Sequence, residues 1–281
     1  MSALGETQAR IESIGKLRTV VGAMRGIAAT HAQQARAALD GFRAYAGVVA
    51  DGLGRAIALL EPDAAAAPVR GGPKVLVLFT AEHGFAGAFS GRVLDAVGDP
   101  GGAELFILGS RGLALAEQRG WRPAWSGETA SQASGAAEAA RRVADVLYAR
   151  FVRETAAGVE IVHARATGAA EVEVVRRPLL PIDPAPLSRP RPGPPPLANL
   201  EPRRLVEQLV GEYVFAELAL AGLESFAAEN AARLQTMEAA RLNIDQKLEE
   251  LTGQERLLRQ EQITAEVQDV TAGALAAEGG R

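Results

Sequence analysis

The feature that most constrains the fold is a run of apolar positions spaced alternately three and four residues apart near the start of the chain. From Ile14 it passes through Leu17, Val21, Met24, Ala28, His31, Ala35, Ala38, Phe42, Tyr45, Val49, Gly52, Ala56 and Leu59, with only His31 and Gly52 breaking it. A stripe held in phase for about six heptads is coiled-coil spacing, not that of a surface helix. It predicts one helix over residues 1–62, closed by Glu61-Pro62-Asp63, because proline and the residue before it oppose further helix. At 1.5 Å per residue its length is about 85 Å.

Beyond its first turn it contains Gly15, Gly22, Gly26, Gly41, Gly47, Gly52 and Gly54. Each costs about 1 kcal/mol relative to alanine inside a helix, so the helix needs a partner. The glycines are read either as points of close backbone approach or as tolerated weakening. The partner is found at the other end, over residues 203–281. There the same spacing gives Leu209, Tyr213, Ala216, Leu220, Leu223, Ala227, Asn230, Leu234, Met237, Arg241, Ile244, Leu248, Leu251, Glu255, Leu258, Gln262 and Ala265. Beyond Leu258 the apolar positions shift phase to Ile263, Val267, Val270 and Ala274. This second helix, about 110 Å long, outruns the first, so Ile263, Val267 and Val270 are expected to form a projecting apolar tip that needs an outside socket.

Between the two lies a segment of a different period, residues 69–177. Lys74–Thr80, Leu105–Leu108, Val159–His163 and Val172–Val175 read as strands. Helices are expected over 91–97, 111–118 and 134–151. Alternating strands and helices imply a small, mostly parallel Rossmann-like sheet, its last two strands a candidate hairpin. A proline-rich stretch, 178–202, reads as a stiff connector. The fold class is therefore α/β, a small Rossmann-like central domain with a long antiparallel coiled coil formed by the terminal helices.

Self-contained chemistry finds little support. There is no cysteine, which removes disulfides, thiolate metal sites and cysteine nucleophiles. A formal net charge of -4 with scattered basic residues argues against nucleic acid as a partner. The opening residues lack the apolar core of a signal peptide, and no run reaches the roughly 18 apolar residues of a membrane span, so any membrane role is indirect. The Gly-rich turn Glu82–Gly91 follows a strand and precedes a helix, but it is neither G-x-G-x-x-G nor a loop ending in G-K-[ST]; a structural tight turn is the stronger reading. His31, His83 and His163 have no second ligand at metal spacing, and neither Ser90 nor Ser110 sits in a nucleophile elbow. No catalytic residue, metal or cofactor is expected. The residues alone leave open a coiled-coil adaptor with an α/β head.

Several motifs narrow this. Ala23-Met24-Arg25 and Ile27-Ala28-Ala29 are similar to A-M-K-M-V-A-A. Val75 to Phe89 resembles a strand followed by S-D-R-G-L-C-G-G-F-N, and Arg177-Pro178-Leu179-Leu180-Pro181 resembles R-x-L-L-P. Near the end, Glu229 to Ala240 resembles S-E-x-A-A-R-M-x-A-M-x-A-A, and Arg259 to Val267 resembles R-Q-A-x-I-T-Q-E-I. These are motifs of the gamma subunit of F-type ATP synthases, and the resemblance spans essentially the whole chain.

That resemblance implies a rotating central shaft that couples ion flow through a membrane c-ring to a catalytic ring of alpha and beta subunits, with an epsilon subunit at its foot. It implies a peripheral place on the cytoplasmic side of a bacterial inner membrane and no catalysis by the chain itself. Carried over by position, Arg233, Gln260 and Thr264 would make polar contacts with the catalytic subunits, and Met24 and Arg25 would face one of them. Departures at Gly22, Arg241, Leu242 and Glu255 to Leu258 suggest a divergent, second-copy bacterial form of the sodium-linked or alternative kind.

Overall fold

The computed structural model describes residues 3–60, 71–152, 157–168, 171–183, 187 and 197–278. Most of the expected connector, and Pro62 at the end of the first helix, lie outside the described residues. Helix α1 spans Ala3–Ile57 and helix α5 spans Pro202–Glu278, 55 and 77 residues, or about 80 and 115 Å. Between them come β1 (Lys74–Phe79), α2 (Phe89–Asp95), β2 (Glu104–Leu108), α3 (Ser110–Gln118) and β3 (Trp125–Gly127), then a 3-10 turn at Ala133–Gly135, α4 (Ala136–Val152), β4 (Gly158–Ala166) and β5 (Val172–Leu180). The chain divides into two compact units, residues 1–27 with 236–281, and residues 28–235.

In the first unit the two helices run antiparallel in a fixed register. Gln8 donates to Glu255 at 3.0 Å, Arg18 pairs with Asp245 at 2.7 Å and Arg25 with Glu238 at 3.1 Å. From one rung to the next, ten and then seven residues forward along α1 are matched by ten and seven residues back along α5. The seam differs from the stripe expected at Leu17, which is 54% exposed. Arg18 takes the rung instead, so the ladder reads Ile11, Ile14, Arg18, Val21, Arg25, with a cation at two of the facing positions.

The second unit corrects the stripe in the same sense. The buried residues of α1 are Ala28, Ala32, Ala35, Leu39, Ala46, Val49, Leu53 and Ala56. Ala28, Ala35, Val49 and Ala56 stand where the spacing put them, but the intervening rungs are Ala32, Leu39, Ala46 and Leu53 rather than His31, Ala38, Tyr45 and Gly52. Both choices satisfy a three-four alternation; the stripe with no polar interruption is the one that is buried. His31 flanks it with its ring 5.7 Å from that of Phe226, and Tyr45 flanks it with its hydroxyl on Glu212. Of the seven glycines named above, five face open space, Gly52 approaches Leu209 loosely, and Gly54 is a forced close approach, since a Cβ there would lie 2.2 Å from the carbonyl oxygen of Leu187.

The sheet has the order β3-β2-β1-β4-β5, with β1, β2, β3 and β4 parallel and β5 antiparallel to β4. The hairpin is therefore present. The strand β5 runs three residues past the boundary expected at 177, because Pro178 sits on an edge strand beside a bulge at Val159/Glu160, where a missing N–H is tolerated. One face of the sheet, Val75, Val77 and Phe79, packs against Ala140, Val143 and Leu147 of α4 and Val214, Leu218 and Ala221 of α5. The other face, Leu76 and Leu78, packs against Phe89, Val93 and Leu94 of α2 and Ala228 and Ala232 of α5. A third cluster joins Ala35 and Leu39 of α1 to Leu223, Phe226 and Ala227 of α5. Within this unit α5 thus contributes to every core, and from Leu223 to Ala232 no residue of it is exposed.

Candidate functional site

In an open α/β sheet, ligands bind beyond the carboxyl ends of the strands. Here that position is occupied by α5. Ser225 donates to the carbonyl of Phe79 at 3.2 Å, and a Cβ on Gly222 would stand 3.1 Å from the Phe79 ring, so glycine is what lets the helix lie on the strand end. The space left among Phe79, Thr80, Leu108, Phe226 and Glu229 is about 10 Å³, room for one water. Among the described residues no three His, Asp or Glu side chains are grouped to hold a metal, and no helix is long and apolar enough to cross a membrane.

What α5 offers instead is a series of polar fasteners. His163 of β4, fully buried, shares a hydrogen bond of 2.9 Å with Glu224, whose other carboxylate oxygen accepts from Arg43 of α1 at 3.1 Å. Burial alone would raise the pKa of Glu224, yet the bonds from His163 and Arg43 outweigh it and hold the carboxyl below its ordinary value. One carboxylate therefore ties a strand and both long helices together.

About two and a half turns further along α5, Arg233 is packed against its own chain. Its Nε donates to the carbonyl of Gly84 at 3.3 Å, Nη2 to the carbonyl of His83 at 3.4 Å, and Nη1 to Asn230 Oδ1 at 3.1 Å. The guanidinium also pairs with Glu229, a side chain that is itself buried. Desolvation pushes the Glu229 carboxyl up, although Arg233 works against the shift. The resemblance expected a guanidinium turned toward another subunit; here it is engaged internally.

The other expected contact residues lie in the first unit. Met24 is half-buried beside the seam, and Arg25 holds the rung to Glu238. Gln260 and Thr264 are exposed, with the Thr264 hydroxyl donating to the Gln260 carbonyl at 2.8 Å one turn back. Ile263, Val267 and Val270 are 55%, 59% and 73% exposed. The structure thus groups Gln260, Ile263, Thr264, Val267 and Val270 on one bare length of α5, and places Arg233 in a different environment. Sequence reasoning did not single out Arg18, Asp245, Glu238, Arg43 or Glu224, and it weighed His163 only as a metal ligand lacking a second partner. The first three carried a signal, opposite charges recurring at matched heptad intervals on two helices; the last three meet only once the sheet has formed.

Comparison with known proteins follows this architecture closely. The ATP synthase family profile matches residues 3–277. The ATP synthase gamma chain of Frankia casuarinae is 30% identical over 295 residues, covering 99% of this chain and 98% of that one. The gamma chain of Thermobifida fusca is 26% identical, with 94% and 93% covered. Among solved structures, a chain of the Euglena gracilis mitochondrial ATP synthase, resolved with its F1 part and c-ring, superposes with a TM-score of 0.66 at 15% identity, covering 99% and 95% of the two chains. A chain of the Tetrahymena thermophila central stalk and c-ring gives 0.55 at 19% identity, with 79% and 99% covered. A profile match over nearly all residues, with end-to-end likeness to a gamma chain, means that the chain belongs to the ATP synthase gamma-chain family.

Proposed function

We propose that the chain is the central rotor shaft of an F-type ATP synthase, transmitting torque between a membrane c-ring and a ring of alpha and beta subunits. The observation that carries this reading is the length of α5 beyond Leu258, exposed at every position from Arg259 to Ala272 and bearing Ile263, Val267 and Val270 in the open. A rod whose Ile263, Val267 and Val270 are left uncovered fits a sleeve supplied by other subunits. Met24, Arg25, Gln260 and Thr264 are its contacts with the catalytic subunits in this reading, and an epsilon subunit joins it at the foot. The catalysis then belongs to the ring, the chain itself being non-catalytic, and its place is peripheral, on the cytoplasmic face of a bacterial inner membrane. Departures from the family pattern around Arg241 and Glu255 fit a divergent second-copy form.

Torque needs a stiff member, and two helices locked in register resist twisting better than either alone. Push is steric; a few polar contacts adjust it. Co-expression with alpha and beta subunits tests the reading: a stoichiometric complex is expected, whereas a chain that stays free while alpha and beta assemble overturns it.

A further inference from the structure

We propose that Arg233 is a positioning residue: a clamp on α5 that fixes the Gly-rich loop 82–85 to the shaft and thereby holds Phe85 in an exposed, left-handed conformation. The guanidinium uses four of its five N–H groups, on Gly84, His83, Asn230 and Glu229, and its side chain is only 11% exposed. Two of these acceptors are successive backbone carbonyls of the loop. The guanidinium fork serves all four acceptors at once, whereas an ammonium has only three N–H groups. Asn230, wholly buried, is itself anchored through its amide on the Phe226 carbonyl at 2.9 Å, so this acceptor is held by α5 itself.

The loop is gripped from its other side too. Ser110 donates to the Glu82 carbonyl at 2.6 Å, and the Glu82 carboxylate accepts from the Thr129 amide at 2.8 Å. Ala81 donates to Ser90 Oγ at 3.1 Å. Between these two sets of bonds the chain reaches Phe85 with φ +66, the only non-glycine residue with positive φ among the described residues, and 62% exposed. A bulky side chain in that region is strained, and it persists where surrounding bonds over-determine the backbone. The clamp supplies that over-determination. The bonds to residues 82–84 fix the backbone from which Phe85 projects.

The clamp's geometry is independent of what the shaft does, but its consequence rests on the shaft reading. If α5 turns, the loop and Phe85 turn with it, so that Arg233 contributes to coupling through the loop and not by touching the ring.

Hydrogen–deuterium exchange on the full-length chain tests the clamp, with Arg233→Gln and Arg233→Lys compared to the unaltered protein. The amides of Ala81 and Thr129, which donate to Ser90 and Glu82 at the edges of the loop, are expected to exchange about tenfold faster in both variants, because both lose the fork. Lysine retains the charge facing Glu229, so its melting temperature is expected nearer the unaltered value than that of the glutamine variant. Unchanged loop exchange in both overturns the clamp. A second variant, Phe85→Gly, removes the strained side chain and is expected to leave the amides of Ala81 and Thr129 as protected as before; their deprotection would show that Phe85 holds the loop and not Arg233. In the assembled complex, ion pumping per ATP hydrolysed is expected to fall in Arg233→Lys. A fall with an unchanged loop would mean that Arg233 touches the ring directly, which overturns the clamp and leaves the shaft reading standing. A loosened loop with unchanged pumping overturns the positioning role.

Discussion

Two stretches of α5 stand at opposite extremes of burial. Between Leu223 and Ala232 no residue is exposed, with α1 on one side and both faces of the sheet on the others. Between Arg259 and Ala272 every residue is exposed, though the helix continues without a break. Both are helical throughout, although Leu223 to Ala232 has four alanines in ten residues and Arg259 to Ala272 only two in fourteen, with five β-branched side chains. What separates them is packing: the first stretch is held by burial, while the second depends on helix propensity and on pairs such as Gln262 with Glu266 at 2.9 Å. The lesson is that a long helix can serve as a core element at its waist and as an unsupported rod at its end.

The largest effect expected from this contrast is at the waist. Replacing Leu223, which is fully buried against Leu39 and Phe226, with alanine is expected to destabilise the chain by about 2–5 kcal/mol in denaturant unfolding. Ile263→Ala on the bare stretch is expected to stay within about 0.5 kcal/mol. Equal effects at the two sites would break the comparison.

Next in size is the carboxylate that joins three elements. Glu224→Leu leaves His163 and Arg43 without their partner and is expected to cost about 1–3 kcal/mol near neutral pH. Because the folded-state pKa of Glu224 is lowered, its contribution is fully present above the unfolded value, about 4.3, and is lost as pH falls below it. The gap between unaltered protein and variant should therefore narrow in acid titrations monitored by circular dichroism. A gap that widened toward low pH would contradict the assigned shift.

A smaller effect is expected at the exposed rungs. Arg18→Ala breaks the pair with Asp245 and should cost about 0.2–1 kcal/mol, less in high salt. Smallest of all on stability is removal of the residues after Gln262: the melting of the remaining chain should be unchanged while assembly with alpha and beta subunits weakens. Unfolding of the sheet domain on that truncation would show that the bare stretch is a structural support after all.

Much of this was legible in the residues. The two long helices follow from apolar spacing, and β1 and β2 from short apolar runs between glycines. The second helix keeps its expected seam through Met237, Ile244, Leu248, Leu251 and Leu258, because its polar interruptions Arg241 and Glu255 flank the contact. In α1 the intervening rungs lie one residue further on, at Ala32 and Leu39, because alanine-rich sequence offers two stripes of equal spacing and only packing chooses between them. β3 was not foreseen: Trp125-Ser126-Gly127 is too short to show alternation, and it forms only by pairing with Phe106 to Leu108. The clamp at Arg233 was half visible. Its motif was plain, but its partners are backbone carbonyls 149 and 150 residues away, which side-chain patterns cannot reveal.

The central claim, that this chain turns as a shaft, is tested most directly by watching it turn. The chain has no cysteine, so Ala96→Cys, an exposed position at the end of α2, gives a single attachment point for a probe. With the labelled chain assembled into a surface-fixed complex with alpha and beta subunits, ATP should drive continuous rotation of the probe in one direction, stopping when ATP is withdrawn. ATP hydrolysis by that complex with the probe stationary, or moving only at random, would contradict the account.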